Sequence, residues 1–269
     1  MTTILVPVDF SEASKNAALF AQGITAHIND AHLVFFHVLE PFAAGSDGSP
    51  LDVSLSDRQT IAETAMHNLA AESGLQADYS VVVKDGLSLV DKMVEYVTME
   101  GCDLVVMGIT GAGKLENILM GSNALKMVRQ AVVPVLIVPP NAQFQGMDQV
   151  AFATDLKAID SANPARHLRR VLSWFQPTVK VVHVTEGDES ADPAAKEQLS
   201  DILGPYSAPL YLIKNDNFLD GLDQFTSHQE IDCIVVISRQ HSFLDRLFQQ
   251  SHTRQLAYHT HIPLLAIPE

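Results

Sequence analysis

The sequence predicts an α/β protein built from two tandem open parallel sheets of five strands each, with helices on both faces. Three observations lead to it. The chain of 269 residues repeats itself once. Within each copy, short continuous apolar runs alternate with longer amphipathic ones. A brief turn-forming segment, Pro139-Pro140-Asn141-Ala142-Gln143-Phe144-Gln145-Gly146, joins the copies.

The repeat comes first, because a missed repeat misassigns the whole fold. Ile4-Leu5-Val6-Pro7-Val8-Asp9-Phe10 is answered by Val150-Ala151-Phe152-Ala153-Thr154-Asp155-Leu156 at an offset of 146. The same offset carries Phe36-His37-Val38 onto Val182-His183-Val184. Leu104-Val105-Val106-Met107 matches Ile234-Val235-Val236-Ile237 at an offset of 130, and Val133 to Pro139 matches Ile262 to Pro268. Four blocks in the same order define two domains, expected at 1–140 and 147–269. The second is shorter mainly after its second strand. There the Gly/Ser/Pro/Asp-rich stretch Pro41 to Ser56 has a briefer acidic counterpart, Glu186 to Asp192.

In the first copy, strands are expected at Ile4–Val8, Leu33–Val38, Tyr79–Val83, Leu104–Met107 and Val135–Val138. They are rich in β-branched residues and barely alternate, as parallel strands buried on both faces do. Helix starts lie between them. Ser11 can cap the first, and Ser56-Asp57-Arg58-Gln59 fits a capping box for the second, which stops before Gly74. Ser88 precedes a third that ends at Gly101. The order βαβαβαβαβ gives a parallel sheet with right-handed crossovers. The second copy repeats it with strands near Val150–Ala153, Val179–His183, Leu210–Ile213, Ile234–Ile237 and Leu264–Ile267.

Composition narrows the partners. Thirty-two acidic residues face 17 basic ones, for a formal charge of −15. Both copies share the acidity, with 7 basic and 16 acidic residues before residue 147 and 10 and 16 after it. Such a chain is unsuited to nucleic acid, which is held by neutralising phosphates, and to an anionic membrane surface. Cys102 and Cys233 make no disulfide framework, and the chain opens on strand-like Ile4-Leu5-Val6 with no basic, apolar leader. No apolar run approaches the roughly 20 residues of a spanning helix. A soluble cytoplasmic protein is expected.

Ligands of such sheets bind outside the carboxyl ends of the strands, where strand order reverses. Asp9, His37-Val38 and a Gly-rich segment after the fourth strand converge on that end. Gly108, Gly111 and Gly113 let backbone approach a ligand, and Gly121-Ser122 opens a helix whose first N–H groups favour an anion. The bland alternative is a flexible connection that needs glycine only to turn. Gly108 to Lys114 also satisfies the first seven positions of a P-loop. Leu115, however, stands where that motif needs Ser or Thr for Mg²⁺, and the segment follows the fourth strand rather than the first. A Walker-type NTPase is therefore rejected.

The pattern G-x2-G-x9-G-[ST] is met by Gly108, Gly111, Gly121 and Ser122. With Ile4 to Ser11, His37-Val38, Asp103 to Gly108 and Val133 to Val138 around it, the chain resembles the universal stress protein family. The resemblance spans the first copy and, more weakly, the second. It implies a flavodoxin-like fold that binds ATP, with a stress-linked role that is regulatory rather than clearly catalytic. It implies that Pro7, Val8 and Asp9 line the adenosine or metal side, with Asp9 a candidate Mg²⁺ contact. Val38 meets the adenine through its backbone, and Met107 flanks the base or ribose. Gly108, Gly111, Gly121, Ser122 and the amide of Asn123 cradle the phosphates. Lys114 either adds a point charge there or is a solvated loop lysine. Single-domain members pair through their last strands. That implies an internal pseudo-dimer through Val135–Val138 and Leu264–Ile267, and it leaves a homodimer open.

The second copy departs from the motif. Counted at an offset of 130, Gly108 becomes Ser238, Gly111 becomes His241, and Gly121-Ser122 becomes Ser251-His252. This half is expected not to bind ATP in the family manner; Arg239, His241, His252 and Arg254 could suit another anion, but a degenerate structural half is the simpler reading. The histidines His241, His252, His259 and His261 match no zinc-ligand spacing, and His37 and His183 read as structural at the strand ends. No G-x-S-x-G elbow is present, and both cysteines sit beside buried strands. Enzymatic activity is limited to slow ATP hydrolysis at most. Two rivals stay open: an ATP-using hydrolase or nucleotidyltransferase, and a module for a small non-nucleotide or lipid ligand.

Overall fold

The computed structural model describes residues 1–41, 53–109, 122–157, 159, 162–187, 192–206, 208–238 and 262–269. The first half runs β1 (Thr2–Pro7), α1 (Glu12–Thr25), β2 (Ala31–Leu39), α2 (Leu55–Glu72), β3 (Asp78–Asp85), α3 (Leu89–Glu100), β4 (Leu104–Gly108), α4 (Ser122–Gln130) and β5 (Val135–Val138). The second runs β6 (Gln149–Ala153), α5 (Asn163–Phe175), β7 (Thr178–Thr185), α6 (Pro193–Leu203), β8 (Leu210–Lys214), α7 (Phe218–His228), β9 (Cys233–Ser238) and β10 (Leu264–Pro268). Each expected strand is present, most of them one or two residues longer at an end.

The two sheets are one. All ten strands form a single sheet in the order β3-β2-β1-β4-β5-β10-β9-β6-β7-β8, parallel within each half. At the centre β10 runs antiparallel to β5, with Leu265 opposite Leu136. Two apolar edge strands thereby cover each other, which relieves both of unpaired backbone groups.

Strand residues alternate between two cores. Ile4, Val6, Leu33 and Phe35 join α1, α2, α5 and α6 on one face. Leu5, Val34, Phe36 and Val105 join α3, α4 and α7 on the other. Burial on both faces explains the absence of polar alternation in the sequence. Phe35, Phe36 and Phe152 are almost wholly buried, and each such side chain contributes roughly 1.5–3 kcal/mol.

The caps follow the sequence with one correction. Ser11 and Ser88 accept from the N–H groups of Ser14 and Asp91. The second helix is capped by Ser54 instead of Ser56: its hydroxyl accepts from Asp57 N and donates to the Asp57 carboxylate, 2.8 Å away. Ser54 is thus the N-cap, and Asp57 answers its hydroxyl, rather than its backbone N–H as a capping box would.

Polar and aromatic contacts tie the halves together. Asn16 of α1 donates to the carbonyls of Pro139 and Ala142 in the join. Phe144 lies against Phe20, His27 and Phe175, at ring distances of 5.2, 5.4 and 6.1 Å. Arg170 of α5 reaches the nearly buried Asp103 at 2.7 Å, whose other oxygen accepts from Thr3 N. Ser238 donates to the Val128 carbonyl in the last turn of α4.

The repeat persists in the backbone. Left-handed φ angles occur at Phe10 and Leu156, at Asp30 and Gln176, at Gly74 and Gly204, and at Gly101 and Glu230. Both strand-end histidines are structural, as expected: His37 Nδ1 donates to Val8 O and His183 Nδ1 to Thr154 O. Pairing also corrects one alignment. Ile4 sits beside Leu104 as Val150 sits beside Cys233, an offset of 129, not 130. The one-residue shift matters because it exchanges sheet faces: Leu104 and Cys233 share one core, Val105 and Ile234 the other. The equivalent of Gly108 is therefore Ile237, not Ser238.

Candidate functional site

β1 connects toward β2 on one side, while β4 lies on the other. The strand order therefore reverses between β1 and β4, where their carboxyl ends part. A cleft opens there, lined by Pro7, Val8, Asp9, Ser14, Leu89, Met107, Gly108, Asn123 and Ala124. Six residues singled out from sequence meet in it: Pro7, Val8, Asp9, Met107, Gly108 and Asn123. Val38 lies at the end of β2 beside Lys84, outside the lining. Ser122 opens α4, exposed at the rim. Gly111, Gly121 and Lys114 lie outside the described residues. Ser14, Leu89 and Ala124 were not anticipated; the serine spacing Ser11-x-x-Ser14 was the available signal.

Local folding sets the position of Asp9. Val8 N donates to Phe36 O at the end of β1. Phe10 then turns at φ +63°, a conformation that costs a non-glycine roughly 1–2 kcal/mol. Its ring lies 5.0 Å from His37, which is itself bonded to Val8. The turn brings Ser11 back, so that its hydroxyl and N–H both donate to Asp9 Oδ1, at 2.5 and 3.0 Å. Partial burial works to raise the Asp9 pKa. Hydrogen bonds from Ser11 and Ser14 and from the Ser11 N–H outweigh it and hold the carboxyl below its ordinary value of 3.8.

Gly108 ends β4 against the first turn of α1. A Cβ there would stand 2.6 Å from the carbonyl carbon of Ala13, too close for any real side chain. The close approach that demands glycine is thus to this protein's own helix. Across the cleft, Lys126 Nζ donates to Asp91 Oδ1 at 2.8 Å and to Ser88 Oγ at 3.1 Å, joining α4 to the cap of α3. Those bonds from Lys126 and Ser88 also lower the Asp91 pKa. The described walls enclose ≈ 50 Å³, room for a hydroxyl or an ion but not for a whole nucleotide.

The described residues of the second half keep part of this arrangement and change part of it. Asp155 keeps the Asp9 turn, accepting from Lys157 N at 3.1 Å, with Leu156 at φ +58°. Ile237, nearly buried, stands where Gly108 does. Counting 146 from Glu12 would start the following helix at residue 158, yet α5 begins at Asn163. Pro164 fits that start, because proline is favoured in the first turn of a helix and disfavoured inside one. His241, Ser251 and His252 lie outside the described residues.

A larger groove of ≈ 870 Å³ runs beside α1 between Leu19, Gln22, Gln76 and Phe144. It is open, and its walls carry amides and separate carboxylates without a converging set of groups. The thiols are poorly reactive: burial, then Asp103 and Glu100, push Cys102 up to about 11, and burial pushes Cys233 up to about 12. Among the described residues no three His, Cys, Asp or Glu side chains gather as a metal site, and no helix is long and apolar enough to cross a membrane. His241, His252, His259 and His261 fall outside them.

This fold, with a cleft at its strand-order switch, defines a flavodoxin-like α/β class built on a mostly parallel sheet. The family model for the universal stress protein family matches residues 1–139, and the chain belongs to that family. It is 31% identical over 140 residues to a universal stress protein of Methanocaldococcus jannaschii, covering 50% of this chain and 80% of the relative. A second relative, from Thermus aquaticus, is 28% identical over 136 residues, covering 51% and 97%. Over its whole length the chain shares the fold of a universal stress protein of Archaeoglobus fulgidus, with a TM-score of 0.73, 17% identity and coverage of 99% and 96%. A protein of Pseudomonas aeruginosa UCBPP-PA14 is similar at a TM-score of 0.63 and 14% identity, covering 100% of this chain and 93% of that one.

Proposed function

We propose that this chain is a cytoplasmic nucleotide-responsive binding protein. Residues 1–140 form a domain that holds ATP in the cleft, and residues 147–269 form a second domain that lacks the site. The supporting observation is the meeting of Asp9, Gly108 and the first turn of α4 at the strand-order switch. A short carboxylate suits ribose hydroxyls or Mg²⁺, and helix N–H groups suit phosphate oxygens. The residues fit the group for a further reason: both halves are acidic, so phosphate charge must be met by backbone amides.

Pro7, Val8 and Asp9 line the ribose or metal side, Val38 offers its backbone to the adenine, and Met107 flanks the base. Gly108, Gly111, Gly121, Ser122 and Asn123 cradle the phosphates. Bound ATP supplies the polyphosphate that this chain reads. The role we assign is regulatory with at most slow hydrolysis; Asp9, held below the usual carboxylate range, is not its general base.

Calorimetry with ATP tests the reading: one site per chain is expected, and no heat at millimolar nucleotide overturns it. Gly121→Asp puts a carboxylate against the phosphates and is expected to abolish binding. Unchanged affinity would show the phosphate loop to be misassigned. Native mass spectrometry of the purified protein reads site number directly.

A further inference from the structure

A second chemical constellation lies at the opposite, amino-terminal ends of β2 and β3, on residues that the nucleotide reading does not use. His32 of β2 and Asp78 of β3 are directly opposite in the parallel register, and Ser80 follows opposite Val34. All three side chains lie on the same sheet face, the one that carries Val34 and Phe36. His32 Nδ1 is 2.8 Å from Asp78 Oδ2, and His32 Nε2 is 2.9 Å from Ser80 Oγ. One neutral tautomer satisfies both contacts: Nδ1–H donates to the carboxylate, and the Ser80 hydroxyl donates to Nε2. This is the order of contacts by which a serine is made nucleophilic, with a base at the hydroxyl and an acid orienting the base.

We propose that Ser80 is an activated nucleophile, with His32 as its general base and Asp78 as the positioning group. The burial pattern supports this division. The His32 side chain is 17% exposed and held from both sides, whereas Asp78 is 79% exposed. The base is therefore well fixed, and the orienting charge is weakened by solvent. Neither the cleft nor the groove described above is lined by Ser80. The substrate class is accordingly a small activated acyl ester, not a long-chain one.

The chemistry balances without a cofactor. Ser80 Oγ attacks the acyl carbon while its proton passes to His32 Nε2. The ester bond breaks, and the leaving oxygen takes that proton, giving an acyl-serine and an alcohol. Water then attacks the acyl-serine as His32 accepts a proton from it, and the proton returns to Ser80 as the acid departs.

The test uses the full chain with a fluorophosphonate probe and with p-nitrophenyl acetate. The probe is expected to form one Oγ–P bond, at Ser80, with loss of fluoride, as located by peptide mass spectrometry. Ser80→Ala and His32→Gln are expected to slow ester hydrolysis at least tenfold, and Asp78→Asn by less, with Ser80 still labelled. Absence of label from Ser80, or full activity in Ser80→Ala with an unchanged melting temperature, overturns the proposal. Labelling of the unsubstituted chain needs no variant, so a folding defect in one leaves the question decidable. Nucleotide binding is expected to be unchanged in all three.

Discussion

The two halves share strand order, strand-end histidines, an aspartate turn and matching left-handed residues, yet they differ among the described residues at the carboxyl ends of β4 and β9. One such position is a strand end. Gly108 lets the first turn of α1 settle on the end of β4, while Ile237 occupies the equivalent place and α5 begins at Asn163, directly before Pro164. A repeat can thus keep its architecture while a core side chain replaces the glycine on which a helix start rests. Ile237 is only 7% exposed, so the second half is well packed precisely where the first is open.

The strongest way to break this comparison is Gly108→Ile, which makes the first half like the second. Overpacking against the Ala13 backbone is expected to cost about 3 kcal/mol in urea unfolding and to abolish ATP binding. A loss below about 1 kcal/mol would mean that α1 yields easily and that the glycine is not what sets the cleft. Next come the two aspartates that bridge strand starts. Asp103 accepts from Thr3 N and pairs with Arg170, while Asp232 accepts from Asp148 N and Gln149 N. Substituting either by Ala leaves N–H groups without an acceptor and is expected to cost about 2 kcal/mol. Only the Asp103→Ala loss should shrink in molar salt, because only it includes an ion pair with a solvent-exposed partner. Equal salt dependence would remove Arg170 from the account.

Smaller in effect is Glu230→Gly. Glu230 ends α7 at φ +50°, where the first half has Gly101. Replacement is expected to add about 1 kcal/mol of stability, visible as a raised melting temperature; no gain would mean that the glutamate is held at no cost. The smallest expected effect is on pH. Asp9 has its folded pKa below 3.8, so its contribution is complete above that value and is lost as the pH falls through the folded pKa. An acid titration of stability should therefore show a component below about pH 4 that Asp9→Asn lacks. An identical profile in the variant would show that the hydrogen bonds from Ser11 and Ser14 do not favour the charged form.

The strands were legible because burial on both faces writes continuous β-branched runs into the sequence, and Ser11, Ser88, Gly74 and Gly101 marked helix ends by local chemistry. Local rules ended where tertiary packing began. Ser54 and Ser56 both satisfy a capping pattern, and only the packing of α2 selects between them. The 129-residue offset was hidden because two adjacent apolar runs align equally well one residue apart. At the site, Asp9 and Gly108 were legible, but the reason for Gly108 was not: Ala13 is close to it only in three dimensions. Phe10 at positive φ carries no sequence mark, and His32 meets Ser80 across 48 residues through strand register alone.

The central place of β10 bears on how the chain comes into being. It is synthesised after the nine strands numbered before it, yet it lies in the middle of the sheet. At a synthesis rate of about 5–20 residues per second, roughly 6–25 seconds separate the appearance of β5 from that of its neighbour. For that interval the first half must stand folded with a bare apolar edge, and a nascent chain in that state is the one most at risk of joining another like it. The sheet closes only when β10 threads between β5 and β9, so both halves become secure at the same moment.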